Sequence, residues 1–100
     1  MELGLKDKVA IVTGSGRGIG QAIALKFAHQ QAKVVVVDRN EKRADETVKM
    51  VENTGGKAIS LGTDVTKLNE VQLMLENTLE AFGDIHILVN NAGWSMQKDF

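Results

Sequence analysis

The stretch V12-T-G-S-G-R-G-I-G20 lies just inside the N-terminus and decides the fold class. Its four glycines fall within residues 14–20, directly after the apolar run Val9–Val12. A glycine inside a strand or helix is destabilising by about 0.5–1 kcal/mol relative to alanine. Such a cluster therefore predicts a turn whose backbone must come close to something else.

Outward from this turn, β-branched runs alternate with amphipathic segments. The predicted strands are Lys8–Thr13, Val34–Val37, Lys57–Leu61 and His86–Asn90. The predicted helices run from Arg17 to about Gln31, from an Asn40 cap to Gly55-Gly56, and from a Thr66 cap to Gly83. The order β-α-β-α-β-α-β predicts an α/β fold, a Rossmann-like doubly wound parallel sheet with strand order 3-2-1-4. Right-handed crossovers then place the first two helices on one face and the third on the other.

The helical spacing of apolar residues predicts which side of each helix is buried. The predicted inward positions are Ile19, Ile23 and Phe27 in the first helix, Ala44, Val48 and Val51 in the second, and Leu68, Val71, Leu75, Leu79 and Phe82 in the third.

Composition and charge exclude several classes of function. One hundred residues with 43% hydrophobic and 25% charged content are typical of one soluble domain. A net charge of −1 gives no basic surface for nucleic acid, and the absence of cysteine excludes disulfides. Because no apolar stretch approaches about 18 residues and residues 1–6 carry no signal core, we expect no membrane span, no export and a cytoplasmic location.

The position of the glycines indicates an anion site. A helix N-terminus following a strand offers unpaired N–H groups and a favourable dipole to a phosphate. Gly14 would permit the tight turn, Gly18 would let backbone meet a pyrophosphate, and Gly20 would let the helix approach the strand. The spacing matches T-G-x-x-x-G-x-G rather than G-x-G-x-x-G, and no Gly-Lys-Ser/Thr phosphate loop is present. A dinucleotide site is thus predicted, the alternative being a glycine-rich turn without a ligand.

Asp38 indicates which dinucleotide. It ends the second predicted strand, 38 − 20 = 18 residues after Gly20, where a carboxylate accepts ribose hydroxyls. It would also repel a 2′-phosphate, by about 4 kcal/mol for charges about 4 Å apart at an effective dielectric of about 20. NAD is therefore favoured over NADP, although Arg17 and Arg39 are both placed to pair with a 2′-phosphate. The alternative for Asp38 is a solvated acid beside a helix start.

Three motifs in register resemble the short-chain dehydrogenases/reductases: T-G-S-G-R-G-I-G at 13–20, Asp64-Val65, and N-N-A-G at 90–93. The resemblance implies that the turn holds the pyrophosphate and nearby ribose, Asp38 the adenosine ribose, and Asp64 and Val65 the adenine. It also implies that Asn90 ties neighbouring strands together. The implied cofactor-binding residues are Gly14, Ser15, Gly16, Arg17, Gly18, Ile19, Gly20, Asp38, Asp64, Val65, Asn91, Ala92 and Gly93. The alternatives are a helix-capping acid for Asp64 and a structural turn for residues 90–93.

Two positions depart from the family pattern. Gln31 stands where a glycine commonly ends the first helix, and His86 stands where an acid is common. We interpret His86 and His29 as surface or cap residues. Trp94, Met96 and Phe100 fit a substrate pocket wall or ordinary core packing equally well.

The resemblance implies hydride transfer between a nicotinamide and a carbinol or carbonyl carbon, using a tyrosine, the lysine of Y-x-x-x-K and a serine. The sequence contains no tyrosine, so no residue is predicted to be catalytic, and no metal site is predicted. Residues 1–100 are interpreted as the N-terminal part of an NAD(P)-binding domain, whose catalytic C-terminal part lies beyond them. The fourth predicted strand is apolar on both faces, which indicates an incomplete sheet.

The expected partners are a small alcohol or ketone substrate and, by resemblance, further copies of the chain in a dimer or tetramer. One alternative function is a non-catalytic dinucleotide-binding module or fragment. A flavodoxin-like or methyltransferase fold is a second alternative, which the glycine spacing and N-N-A-G disfavour.

Overall fold

The computed structural model describes residues 4–92, which form a four-stranded sheet flanked by three helices. The strands are β1 (Val9–Thr13), β2 (Lys33–Asp38), β3 (Lys57–Gly62) and β4 (Ile87–Val89). The helices are α1 (Gly18–His29), α2 (Glu41–Asn53) and α3 (Leu68–Phe82). The predicted alternation is confirmed, with β4 shorter at both ends than the sequence suggested.

All strand pairs are parallel and the order is β3-β2-β1-β4, as predicted. In the register, Val12 lies opposite both Val36 of β2 and Val89 of β4. Every residue of β1 and the whole Val34–Val37 run are buried. The continuous β-branched sequence of β2 is therefore explained by a central position covered on both faces.

The pleat of the strands divides the core into two clusters on opposite faces of the sheet. Val34 and Val36 pack with α1 and α2, whereas Val35 and Val37 pack with Met74 of α3. The predicted distribution of helices, two on one face and one on the other, is confirmed. The inward positions of α2 are confirmed as well, since Ala44 and Val51 are fully buried and Val48 packs against them.

The predicted inner face of α1 is partly wrong. Its buried residues are Gly20, Ala24 and Ala28, one turn apart, while Ile23 and Phe27 pack only at the side of this row. Ile19 is 74% exposed. Small residues on the inner row let the helix axis come close to the strands, which rotates the larger apolar side chains toward the margin.

The inner face of α3 is shifted in the same way. Met74 and Thr78 form its buried centre, and Val71, Leu75 and Phe82 pack beside them. At 100° per residue, Leu68 and Leu79 fall on the margin of this face. They are 81% and 48% exposed, so the prediction that they point inward is wrong.

The start of α3 also differs from the prediction, since its N-cap is Lys67 and not Thr66. The Thr66 N–H and hydroxyl both donate to Asp64 Oδ1, at 3.0 and 2.6 Å. The hydroxyl is thus engaged one residue before the helix and does not cap it.

At the open edge of the sheet, β4 pairs with β1, and Leu88 is 57% exposed. Within residues 4–92, no helix is long and apolar enough to cross a membrane.

Candidate functional site

A groove of about 880 Å³ lies at the carboxyl ends of the strands, where ligands bind in open α/β sheets. It brings together residues from four separate segments of the chain. The sequence-predicted residues that line it are Gly14, Arg17, Gly18, Asp38, Asp64, Val65, Asn91 and Ala92. Gly93 lies outside the described residues.

The glycine turn forms one wall of the groove, and its glycines answer two different needs. Gly14 and Gly18 have φ values of +63° and +62°, in the left-handed region that glycine adopts without strain. A Cβ on Gly20 would overlap the carbonyl oxygen of Gly14 and lie 2.6 Å from the Asn91 amide nitrogen. Gly20 therefore lets α1 cross directly over the end of β1, while Gly18 has open space on its outer side.

The N-terminus of α1 is arranged differently from the other two helix starts among residues 4–92. Its N-cap, Arg17, makes no side-chain capping bond, and its first turn holds no acid. By contrast, the Asn40 side chain caps α2 and Glu41 opens it, and α3 has Glu70 in its first turn. The cap and first turn of α1 thus supply neither a capping side chain nor an acid to its free N–H groups, which suits an anion.

Ser15 lies inside the protein and not at the groove surface. Its hydroxyl donates to the Val12 carbonyl over 2.6 Å and accepts the Val37 N–H over 3.1 Å, and the residue is fully buried. Its own N–H donates to the Val37 carbonyl. Ser15 consequently links β1 to β2, and its contribution to the groove is to shape the turn.

Asp38 lines the groove in direct contact with the glycine turn. Its Oδ2 accepts the Gly16 N–H and its Oδ1 accepts the Asn40 N–H, each over 2.9 Å. A Cβ on Gly16 would lie 2.6 Å from this Oδ2, so only glycine allows the contact. Because a carboxylate has about four acceptor positions, both oxygens keep capacity for further donors.

Asp64 lies opposite, after β3, and is held on several sides. Its carboxylate accepts both donors of Thr66 and lies 3.5 Å from the Arg39 guanidinium, while its N–H donates to Glu70. The hydrogen bonds from Thr66, followed by the charges of Arg39 and Lys67, lower the pKa of Asp64 below its ordinary 3.8. The Asp64 carboxylate therefore orders the turn before α3 without capping the helix, and Asp64 also lines the groove.

The fourth segment is fixed by Thr13, the last residue of β1. The Thr13 hydroxyl oxygen accepts the N–H groups of both Asn91 and Ala92, at 2.9 and 3.0 Å. It also lies 3.2 Å from Asn90 Oδ1, which ties Asn90 to the neighbouring strand. The Asn91 amide donates to the Gly14 carbonyl over 3.3 Å, so the two turns lie against each other.

The sequence does not assign five of the groove residues to the site: Val37, Asn40, Arg43, Thr63 and Thr66. Arg43 lies three residues after the Asn40 cap, and its N–H donates to the Asn40 side chain. A Cβ on Gly16 would lie 2.6 Å from the Arg43 Cβ, and this packing of α2 against the turn has no signal in the sequence. With Arg17 and Arg39, Arg43 completes an arginine rim of three side chains around the groove.

The two histidines lie away from the groove. His86 Nδ1 accepts the Val9 N–H over 2.9 Å, and its Nε2 lies 3.3 Å from Asp84, at the opposite ends of the strands. His29 is exposed in the last turn of α1. Within residues 4–92, no group of three histidine or acidic side chains is placed to hold a metal ion.

The strand order, the crossovers and the groove at the carboxyl ends define the class of protein, a Rossmann-like α/β protein. Comparison with known protein families then identifies the family within this class. Residues 8–100 match the model of the short chain dehydrogenases, and the chain belongs to that family.

Curated relatives match almost the whole chain. Glucose 1-dehydrogenase 2 of Bacillus subtilis is 44% identical over 92 residues, which are 91% of this chain and 36% of the relative. The hydroxynaphthalene reductase-like protein Arp2 of Metarhizium robertsii is 43% identical over 95 residues, 94% of this chain and again 36% of the relative. The chain thus spans little more than a third of the length of these relatives.

Solved structures agree with this assignment. A hydroxysteroid dehydrogenase from Escherichia coli superposes with a TM-score of 0.88 at 40% identity, covering 90% of this chain and 38% of that one. A 7α-hydroxysteroid dehydrogenase in complex with NADH and 7-oxo glycochenodeoxycholic acid gives the same score and identity, with 35% of its chain covered.

Proposed function

We propose that this chain is the cofactor-binding part of an NAD(P)-dependent oxidoreductase that transfers hydride between a nicotinamide and a hydroxyl or carbonyl carbon. The observation that carries the proposal is that an α1 N-terminus without a capping side chain or an acid in its first turn lies beside the Asp38 carboxylate in one groove. The first fits a pyrophosphate and the second fits a ribose diol, so together they fit a dinucleotide.

Each group of residues has a separate part in this site. The backbone N–H groups at the start of α1 would bind the pyrophosphate, beside the open side of Gly18. Asp38 would accept the adenosine ribose hydroxyls, and Asp64 the adenine amino group, with Val65 against the ring. Asn91, Ala92 and Gly93 would lie along the nicotinamide half. The bound nicotinamide supplies the hydride acceptor or donor.

The preferred cofactor is NAD. Backbone N–H groups donate to both oxygens of Asp38, and these bonds hold the carboxylate beside the proposed ribose position. A 2′-phosphate there would meet like charge. The positive charge of the arginine rim would attract a 2′-phosphate and so opposes this preference. The Asp64 carboxylate, 3.5 Å from the Arg39 guanidinium, offsets part of that positive charge.

The proposal extends to the rest of the enzyme. The serine, tyrosine and lysine of the reaction would follow in sequence beyond residue 100, on a C-terminal part that completes the sheet beside β4. A small alcohol or ketone would be the substrate, and the full-length protein would be a cytoplasmic dimer or tetramer. A non-catalytic dinucleotide-binding module is the second candidate function, favoured by the four segments of residues 4–92 that line one groove.

The test is a titration of the full-length protein with NADH and with NADPH, followed by nicotinamide fluorescence. We expect tighter binding of NADH, and in Asp38→Asn a loss of about tenfold or more for NADH with little loss for NADPH. Glu46→Gln, an exposed acid on α2, is the matched control and should bind as wild type does.

Two results would count against the proposal. If the folded protein binds neither nucleotide, the dinucleotide site is wrong. If both nucleotides bind but alcohols, ketones and steroids give no turnover with a full-length chain that holds Y-x-x-x-K, the module without catalysis replaces the enzyme.

A further inference from the structure

The peptide bond between Ser15 and Gly16 is held from both sides. On one side, the Thr47 hydroxyl of α2 donates to the Ser15 carbonyl over 2.9 Å. On the other side, the Gly16 N–H donates to Asp38 Oδ2, also over 2.9 Å. Because the C=O and N–H of a trans peptide point in opposite directions, whatever fixes the carbonyl also aims the N–H at Asp38.

Thr47 is itself fixed. It is fully buried, and its hydroxyl oxygen accepts the Gln21 side-chain amide over 3.0 Å while its proton goes to Ser15. The same Gln21 amide lies 3.3 Å from the Gly16 carbonyl. A threonine hydroxyl has a single proton to donate, so its direction toward Ser15 is determined by this arrangement.

We propose that Thr47, supported by Gln21, is a positioning residue that sets the orientation of the Asp38 carboxylate and so the preference for a free ribose over a 2′-phosphorylated one. This inference rests on the proposed dinucleotide site. Thr47 touches no part of the groove and acts through the Ser15–Gly16 peptide.

Two backbone N–H groups anchor the Asp38 carboxylate. With Gly16 on Oδ2 and Asn40 on Oδ1, the carboxylate plane is fixed toward the ribose position. Without the Thr47 bond, the peptide is free to tilt, and the Gly16 N–H no longer holds Oδ2. A carboxylate held by Asn40 alone can turn away from a 2′-phosphate, which weakens both its repulsion of NADPH and its bonds to the ribose of NADH.

The first test needs no nucleotide. The exchange rate of the Gly16 amide proton is measured by NMR in the ligand-free full-length protein. We expect faster exchange in Thr47→Val than in wild type, and the wild-type rate in Thr47→Ser, which keeps the hydroxyl. Thr54→Val, at the far end of α2, is the matched control, because its hydroxyl bonds only the Val51 carbonyl there. Unchanged Gly16 exchange in Thr47→Val would overturn the inference.

The second test is selectivity. Thr47→Val should lower the ratio of NADH affinity to NADPH affinity about two- to tenfold, as expected when one hydrogen bond is lost. Thr47→Ser should restore the ratio. A parallel loss of both affinities with an unchanged ratio would mean that Thr47 only supports the fold. If Thr47→Val does not fold, Gln21→Met is the second variant. It removes the hydrogen bond from the partly buried Gln21 amide to the Thr47 hydroxyl, and it should also lower the ratio of NADH affinity to NADPH affinity.

Failure of the two proposals can be told apart. If wild type binds no nucleotide, the proposed function and the selectivity role both fall, while the Gly16 exchange still decides whether Thr47 orients the turn. If wild type prefers NADH and Thr47→Val keeps that ratio, only the inference about Thr47 is overturned.

Discussion

The Asp7 N–H donates to the Gln31 carbonyl over 2.9 Å, and these two are the non-glycine residues with left-handed backbone within residues 4–92. Their φ values are +64° and +69°. Asp7 precedes β1 and Gln31 precedes β2, so this bond brings together the starts of two neighbouring strands. Gln31 occupies the position after the C-cap of α1, where glycine is preferred.

Gln31→Gly should therefore stabilise the protein. Relief of a left-handed side chain is worth about 1–2 kcal/mol, and the added freedom of glycine in the unfolded chain offsets about 0.5–1 kcal/mol of it. The expected net gain is about 0.5–1 kcal/mol, measured by urea denaturation of the full-length protein. Gln30→Gly is the control, because φ at Gln30 is −89° and the same change there should destabilise. Equal effects at the two positions would contradict the argument.

Gly18 and Gly55 provide a matched pair for ligand binding. Both have positive φ, +62° and +84°, and open space where a Cβ would stand. Alanine at either position should cost about 0.5–1 kcal/mol in stability, because about 1–2 kcal/mol of backbone strain is partly offset by the smaller freedom of alanine in the unfolded chain. Gly18→Ala alone should also weaken NADH binding in a titration, since its Cβ would project beside the proposed pyrophosphate. Similar binding losses in the two variants would argue against an anion at the start of α1.

Thr13 and Thr78 are both buried threonines with different partners. Thr13→Val removes the acceptor of two backbone N–H groups, those of Asn91 and Ala92, and should cost about 1–3 kcal/mol. The Thr78 hydroxyl bonds back to the Met74 carbonyl within α3, so Thr78→Val should change stability by less than about 1 kcal/mol. Chemical denaturation of both variants checks the difference, and a reversed order would refute the proposed role of Thr13.

Asp64 gives a pH dependence with a definite sign. Its pKa is lowered in the folded state, first by the Thr66 hydroxyl, so its contribution to stability is complete above about pH 4 and is lost as the pH falls through the folded pKa. The difference in thermal midpoint between wild type and Asp64→Asn should be constant near neutrality and shrink below the ordinary value of 3.8. In Thr66→Val the pKa of Asp64 should lie closer to its ordinary value, so the acid-induced loss of stability should occur over a narrower pH range. A difference that grows with acidity would contradict this account.

Most of the fold was predictable because its determinants are local. β-branched runs alternate with segments whose apolar residues have helical spacing, and Gly14, Gly55 and Gly83 mark the ends of elements. This pattern predicts the elements and their order. The phase of each helix was not predictable, since periodicity is unchanged by a small rotation about the axis. Periodicity consequently predicts that Ile19, Leu68 and Leu79 point inward. Packing of the small Ala24 and Ala28 and of Met74 determines the true faces.

The candidate site was predictable where a motif carries it and not where contacts cross the fold. Asp38 and the glycines are readable from spacing. Thr47 lies 32 residues from Ser15, and the two are hydrogen-bonded because α2 packs over the turn. Helical spacing predicts that Thr47 points into the core but does not indicate this hydrogen bond. Ser15 shows the converse, a motif residue whose hydroxyl the fold turns inward.

The glycine turn has a consequence for kinetics. Its inward carbonyls and hydroxyls already have protein partners, so an arriving anion would meet N–H groups whose directions are set, and association would not wait for a loop to order. The rate of encounter would then be governed by the field of the arginine rim, Arg17, Arg39 and Arg43. Raising the ionic strength would slow association while leaving dissociation nearly constant.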